Sequence, residues 1–411
     1  MHPVTGFQVA SVHSICELLA INIRFPLTYP HPTLALIFLR RSLLCFNSYV
    51  PLPQSTLWAI EPHTEAKHKI LRKYLEAWFP IMASRKARIV YLDGFSGPGR
   101  YTGGQPGSPI IALECAKNHR APLNGELVFL FIEERQDRAD HLSNQIEQLH
   151  CPDRFKIEVK CGEFAPQLTE ILDDLDRDGH RIAPTFALID PFGFSGIPYT
   201  LIQRLLSNRR CEAFISFMVD SINRWLTHPD EGIRAHIAQT FGTDEPFAIS
   251  TGADRIVALK DLYHCQLKKI ARFVRRFELR DKDDRVVYCL FFASNDATGH
   301  YKMKEAMWKV DPLGDFRFSD ATNPDQEILF LNTPLDILRS DLIQQFQPAG
   351  EIPIERVETF VFNETGFLRK HMGEVLENLE SEGQVKVADL KTNGKRRLRN
   401  TYPNDALITF L

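Results

Sequence analysis

The sequence holds little that could staple a fold, cross a bilayer or bind a metal. Its eight cysteines are scattered over 411 residues, with no C-x-x-C pair and no metal-ligand spacing. That excludes a cysteine-based zinc site and points to free thiols in a reducing, cytoplasmic compartment. Within the first 55 residues the longest apolar stretch, Leu34–Leu39, stops at Arg40 and Arg41. It falls far short of the ~20 residues that span a membrane. That region also lacks the cationic start and apolar core of a secretory signal. No charge of one sign dominates: a net charge of −3 argues against a globally basic nucleic-acid binder but leaves room for a local basic patch. H-E-x-x-H, G-x-S-x-G and G-K-[ST] patterns are absent, so zinc protease, serine hydrolase and P-loop readings have no motif behind them. There are no internal repeats and no low-complexity tract.

A chain of this length suggests two or more domains. Residues 1–55 are rich in Pro, Leu and Phe, with Glu17 their one acidic residue. They read as a poorly ordered extension, of the kind a start codon set too far upstream would add. From Trp58 the pattern changes. HTEAKHKILRKYLEAWFPIM has a helix start signal at Thr64, and Ile70, Leu71, Tyr74, Leu75, Trp78 and Phe79 recur at helical spacing. His63, Lys67 and His68 at its start, and Arg224 further on, read as solvated or salt-bridged surface residues. The apolar runs ARIVYLDGF, ELVFLFIEE, FKIEVKCGEF, PTFALIDPFGF and CEAFISFMVD then alternate with helical patterns. Continuous apolar strands in such alternation predict an α/β fold with a doubly wound, mostly parallel Rossmann-like sheet, buried on both faces. Residues 226–280 read as a helical insertion. DRVVYCLFFASND reads as a strand closing the far edge.

The sharpest chemistry lies in IVYLDGFSGPGRY. An apolar strand ends at Asp93, and Gly94, Phe95, Gly97 and Gly99 follow. A strand-to-helix turn that admits a ligand needs glycines for positive φ and for close backbone approach. The D-x-F-x-G-x-G spacing departs from the dinucleotide fingerprint. It is the form class I methyltransferases use around the methionine end of S-adenosylmethionine. Glu133, ending the second strand, sits where a carboxylate meets ribose hydroxyls. Glu163, after the third strand, sits where an adenine amino group could be met. At the carboxyl end of the fourth strand, Asp190, Pro191 and Phe192 occupy the reacting side. They resemble the (D/N)-P-P-(Y/F) motif of amino-methylating enzymes, with the aromatic one position early. No cysteine follows a proline, which disfavours methylation at cytosine carbon, where a covalent nucleophile is needed.

Residues 320–334 read as a linker. Beyond it, PLDILRSDLIQQF, PIERVETFVFNET and FLRKHMGEVLENLESEG read as helices, and VKVADL-KTNG-KRRLRNTY as a hairpin with an Asn393-Gly394 primed turn. This is the layout of a small C-terminal winged helix-turn-helix domain, 335–411, behind a methyltransferase-like domain, 56–319. Lys391, Lys395, Arg396, Arg397 and Arg399 cluster on the wing, where a phosphate backbone would lie. The stretches WAIEPHTEAKH (58–68), YLDGFSGPG (91–99), GSP (107–109), DPFGF (190–194) and the tail after Pro334 resemble the three-Cys-motif partner proteins. The resemblance implies a class I methyltransferase fused to a winged helix-turn-helix, encoded beside a protein with a three-cysteine motif. It also implies cofactor positions at Asp93, Gly97 and Gly99 and a motif-four position at Asp190. The expected function is S-adenosylmethionine-dependent methyl transfer on nucleic acid, with no metal and no membrane. The alternatives are a catalytically silent binding module that recruits its partner, or transfer to a protein or small molecule.

Overall fold

The computed structural model describes residues 19–21, 53–84, 87–194, 196–250, 252, 254–311, 317–320, 334–391 and 393–411. Most of the expected N-terminal extension and residues 321–333 of the expected linker therefore lie outside the described residues.

Helix α1 spans Pro62–Ala83. It starts two residues before the expected Thr64, because Glu61 stands at the N-cap and Pro62, with φ preset and no amide hydrogen to satisfy, fits the first helical position. Strands β1 (Ile89–Asp93), β2 (Leu127–Glu133), β3 (Phe155–Cys161), β4 (Thr185–Ile189) and β5 (Glu212–Phe217) follow, separated by α2 (Ser108–Lys117), α3 (Gln136–Gln148), α4 (Phe164–Arg177) and α5 (Tyr199–Leu206). All five strands pair in parallel. Side chains alternate between two cores. Ile89 and Tyr91 pack under α1 and α2, with Met303 and Met307 from further along the chain, while Val90 and Leu92 pack under α4 and α5. Each strand is apolar throughout because both of its faces are covered.

After β5 come α6 (Val219–Trp225), α7 (Glu231–Phe241) and α8 (Arg255–Ile270). The expected helical insertion to residue 280 is corrected at its end, since β6 (Phe273–Arg280) is a strand. Its Phe277 and Leu279 alternate inward while Glu278 and Arg280 pair with each other on the opposite, half-buried face. That is the period of two that a strand requires. Strand β7 (Val286–Ser294) does not close the edge. It lies between β5 and β6, antiparallel to both. Helix α9 (Ala297–Trp308) and strand β8 (Arg317–Ser319) follow, and β8 pairs in parallel with β6 as the true edge. The sheet order is β3-β2-β1-β4-β5-β7-β6-β8. Strand order reverses at β1, so the crevice above the carboxyl ends of β1 and β4 is the switch point where such sheets bind ligands. This is a doubly wound, mostly parallel sheet of the class I methyltransferase type. A short antiparallel pair, Ala20–Ile21 with Arg181–Ile182, lies apart from it.

The C-terminal unit comprises α10 (Pro334–Phe346), β9 (Glu351–Pro353), α11 (Ile354–Asn363), α12 (Arg369–Ser381), β10 (Val385–Val387) and β11 (Leu407–Phe410). It is a winged helix-turn-helix with its own core around Leu342, Val357, Leu376 and Ile408. The wing differs from the expected hairpin. Strand β10 pairs with β11, which also pairs with β9, whereas KRRLRNTY contributes one bridge, Arg396 to Leu390. The turn itself is carried by Gly394 at φ 77, whose amide donates to the Lys391 carbonyl at 2.8 Å. The Lys391 amide donates to Lys395 at 2.9 Å, closing a three-residue loop with glycine at its left-handed position.

The winged unit is clamped to the sheet domain at the C-terminus of α11. Lys304 donates to the carbonyls of Val361 (2.9 Å) and Phe362 (3.2 Å). Arg275 donates to those of Phe362 (2.8 Å) and Asn363 (2.7 Å). A helix C-terminus leaves carbonyls without partners and carries the negative end of the dipole, so cations suit it.

Candidate active site

The site builds on the turn after β1. Gly97 and Gly99 sit at φ 64 and 86, a region that side chains resist. A Cβ on Gly94 would meet the Phe164 ring at 2.4 Å, so that turn can pass only as glycine. Phe95 rests on Phe164, ring centroids 5.3 Å apart. Asp93 is fully buried. It accepts from the Phe95 amide (3.3 Å) and the Tyr91 hydroxyl (3.4 Å), and none of the ion pairs among the described residues reaches it. Burial pushes its carboxyl up to about 7, against a hydrogen bond from Ser108 and with Asp190 adding repulsion.

Glu133, at the end of β2, is buried and accepts from the amides of Gly97 (2.9 Å) and Arg135 (3.0 Å). Burial raises its pKa despite those bonds. One carboxylate oxygen thus braces the glycine loop, and each oxygen keeps a lone pair for a further donor. Glu163 caps α4 with no side-chain bond to the helix and is exposed at the end of β3. Asp190 leaves β4 next to β1, where Asp93 pairs with Leu188. Pro191 is buried, and the Phe192 ring meets Trp58 edge-on at 5.4 Å. The structure therefore brings Asp93, Gly97, Glu133 and Asp190 to one lip. Glu163 sits further along it.

Three side chains expected at the surface are buried instead. His63, Lys67 and His68 are 7%, 5% and 7% exposed. Lys67 forms an ion pair with Asp190 and stands 5.5 Å from the Tyr288 ring centroid. For Asp190, burial works to raise the pKa, but the Lys67 ammonium overcomes it and holds the carboxyl below its usual value. Burial and the neighbouring Lys67 drop His68 to about 3, so it stays neutral. His63 bridges Glu61 (3.0 Å) and Asp320 (2.9 Å), tying the start of α1 to the end of β8. The sequence carried the signal: Lys67 shares a helix face with Ile70, Leu71 and Tyr74. Arg224 does pair at the surface, with Asp220 at 2.9 Å.

A second group missed from sequence is the strap of residues 53–58. Arg138 donates to the carbonyls of Pro53 (2.6 Å) and Ser55 (3.3 Å), and Arg135 to those of Pro53 and Gln54 (both 3.0 Å). The strap ends on Trp58, whose ring lies 3.6 Å from where a Gly97 Cβ would be and 4.7 Å from the Arg138 guanidinium. The lip is thus walled by aromatic rings and one buried guanidinium. No group of His, Cys, Asp or Glu among the described residues is arranged to hold a metal ion, and no described helix is long and apolar enough to cross a membrane. The six described cysteines are free.

On the wing, Lys395, Arg396 and Arg399 are exposed. Arg397 is turned inward: its side chain is 6% exposed and bonded to Glu380, with the Tyr402 ring 5.7 Å away. Lys391 lies 3.6 Å from Asp405.

Residues 317–391 match the family described as the GMT-like wHTH domain. No curated protein sequence matches the chain. Among solved structures, cofactor-bound Rv0187 from MTB is similar over 60% of this chain and 85% of its own, at 14% identity and a TM-score of 0.31. A human methyltransferase 10 domain containing protein is similar over 55% and 82%, at 13% identity and 0.28. PKMT2 from Rickettsia typhi, in complex with AdoHcy, is similar over 76% and 73%, at 9% identity and 0.27. At these values the likenesses assign no activity. The chain thus joins a doubly wound, mostly parallel sheet domain to a winged helix-turn-helix unit that is similar to the GMT-like wHTH family.

Proposed function

We propose that this protein binds S-adenosylmethionine and transfers its methyl group to nucleic acid, working with a three-Cys-motif partner protein in the cytoplasm. One observation carries the reading: a buried carboxyl (Asp93), a left-handed glycine turn (Gly97, Gly99) and a second carboxylate (Glu133) converge at the switch point of the sheet. Those groups fit the cofactor. Asp93, lacking a cation, suits an amino group. Glu133 suits paired ribose hydroxyls, and Glu163, after the third strand, is the candidate for the adenine amino group. When bound, the cofactor supplies an electrophilic methyl on a sulfonium. The chain's own residues contribute position and field. Asp190 to Phe192 line the side from which an acceptor enters. Burial of the lip excludes water and strengthens each charge in it. Lys395, Arg396 and Arg399 on the wing would hold a phosphate backbone in register, with Lys391 beside them.

A second reading, a catalytically silent module that recruits its partner, draws on two observations. Trp58 packs on Gly97, and the Asp190 carboxylate already has Lys67 as its partner. Incubating the full chain with methyl-labelled cofactor and duplex DNA, tRNA or the three-Cys-motif protein separates the two. Label in nucleic acid supports transfer. Saturable cofactor binding with no label in any acceptor supports the silent module.

A further inference from the structure

Two carboxyls and one ammonium share the lip between β1 and β4. Asp93 pairs across the sheet with Leu188, which puts Asp190 just beyond it on the neighbouring strand. Asp93 has no cation. Asp190 has one, the Lys67 ammonium, held by a side chain 6% exposed. Lys67 is not there by chance of surface contact. It lies on the core face of α1, and Tyr288 from β7 backs it with the face of its ring. His68, next along, is neutral, so Lys67 supplies the positive charge here.

A buried ion pair beside an unpaired buried carboxyl has one favourable way to accept a ligand. To open that ion pair without stranding either of its charges, the ligand must bring one positive and one negative group. An α-amino acid does so. We infer that Lys67 anchors the carboxylate of the cofactor's amino-acid end, leaving Asp190 as the ligand enters, while Asp93 and Asp190 take its α-ammonium. The inference rests on the cofactor reading above. The exchange makes and breaks no covalent bond. One ion pair opens and two form, Lys67 with the ligand carboxylate and Asp190 with the α-ammonium, while Asp93, protonated up to about pH 7, offers the ammonium its carbonyl oxygen, so no buried charge is left alone. In the ligand-free protein the Lys67–Asp190 pair leaves no uncompensated ammonium at the lip. Lys67 is thus a binding residue for the amino-acid end, and the family motif at 58–68 assigns it no role.

The test compares three ligands by calorimetry on the full chain: S-adenosylhomocysteine, its decarboxylated amine analogue, and 5′-methylthioadenosine, which lacks the amino-acid end. For the wild-type protein, S-adenosylhomocysteine should bind roughly ten- to hundredfold more tightly than the decarboxylated amine, the range for a hydrogen bond to a charged group. In Lys67→Met that preference should shrink to within about threefold, with methylthioadenosine binding unchanged as the check on folding. Lys67→Arg should retain most of the preference. Equal wild-type affinity for the acid and the decarboxylated amine overturns the inference without any variant. So does a Lys67→Met protein that loses all three ligands in parallel, which marks Lys67 as structural. If the wild-type protein binds none of the three, the cofactor reading itself fails and this inference falls with it. If it binds methylthioadenosine but shows no acid preference, only the inference falls.

Discussion

Among the described residues three lysines are buried, and two of them, one at each of the molecule's working regions, are satisfied in opposite ways. Lys67, at the lip above β1 and β4, meets a carboxylate. Lys304, at the seam with the winged unit, meets only backbone carbonyls, those of Val361 and Phe362. Carbonyls satisfy the donors but do not neutralise a full charge. Burial, with Arg275 adding repulsion, accordingly lowers Lys304 to about 6. At neutral pH the seam is closed by a neutral Lys304 beside the charged Arg275, whereas the lip keeps an ion pair that a charged ligand can reopen. One lysine is a clamp. The other is placed for exchange.

The strongest way to break the contrast is at the lip. Asp93→Ala should reduce uptake of S-adenosylhomocysteine by roughly a hundredfold, read by calorimetry, because it removes a buried partner for a charged group. Unchanged uptake would remove Asp93 from the site. Asp93→Asn sharpens the same point through stability. The folded carboxyl holds its proton up to about 7, against 3.8 as the ordinary value. Its contribution is therefore complete below that ordinary value and is lost as pH rises through about 7. Above pH 7 the amide should make the ligand-free protein more stable by on the order of 3 kcal/mol while still impairing uptake, as denaturant titration would show.

The seam has the opposite sign. Lys304 falls from 10.5 to about 6 on folding, so its contribution is complete above the ordinary value and lost as pH drops through about 6. Stability should rise between pH 7 and 9 by up to roughly 1.4 kcal/mol per pH unit from this group. Lys304→Met should flatten that rise, measured as Tm across the series. An unaltered slope would mean that Lys304 is solvated. The smallest effect concerns the wing. Arg396→Ala and Arg399→Ala should each lower the slope of log affinity for duplex DNA against log salt by about 0.9, and Arg397→Ala should act mainly on stability. Equal slopes for all three would put the phosphate contacts elsewhere.

How much of this was legible in the sequence depended on range. The five parallel strands were readable because each is an apolar run with both faces covered, and the glycine turn because its residue types answer a local backbone need. Phe273–Arg280 was missed since its charged residues, Arg275, Arg276 and Glu278, find partners only after folding. The wing was misdrawn for the same reason: β10 pairs with β11, about twenty residues on, not with the neighbouring basic stretch. Lys67 lay on a helix face that could be recognised as buried, but its carboxylate is 123 residues away. Arg138 of α3 likewise finds its partners, the carbonyls of Pro53 and Ser55, more than eighty residues back along the chain. Spacing shows which residues face a core. It does not show which distant charge will be waiting there.

The account stands or falls on whether the hollow past β1 holds an adenosyl ligand. The direct measurement is a crystal of the full chain grown with millimolar S-adenosylhomocysteine. The expected result is a ligand lying along the β1–β4 crevice, its amino group on Asp93 and its ribose hydroxyls on Glu133. A crystal in which Trp58 still packs on Gly97 and no ligand enters would contradict it.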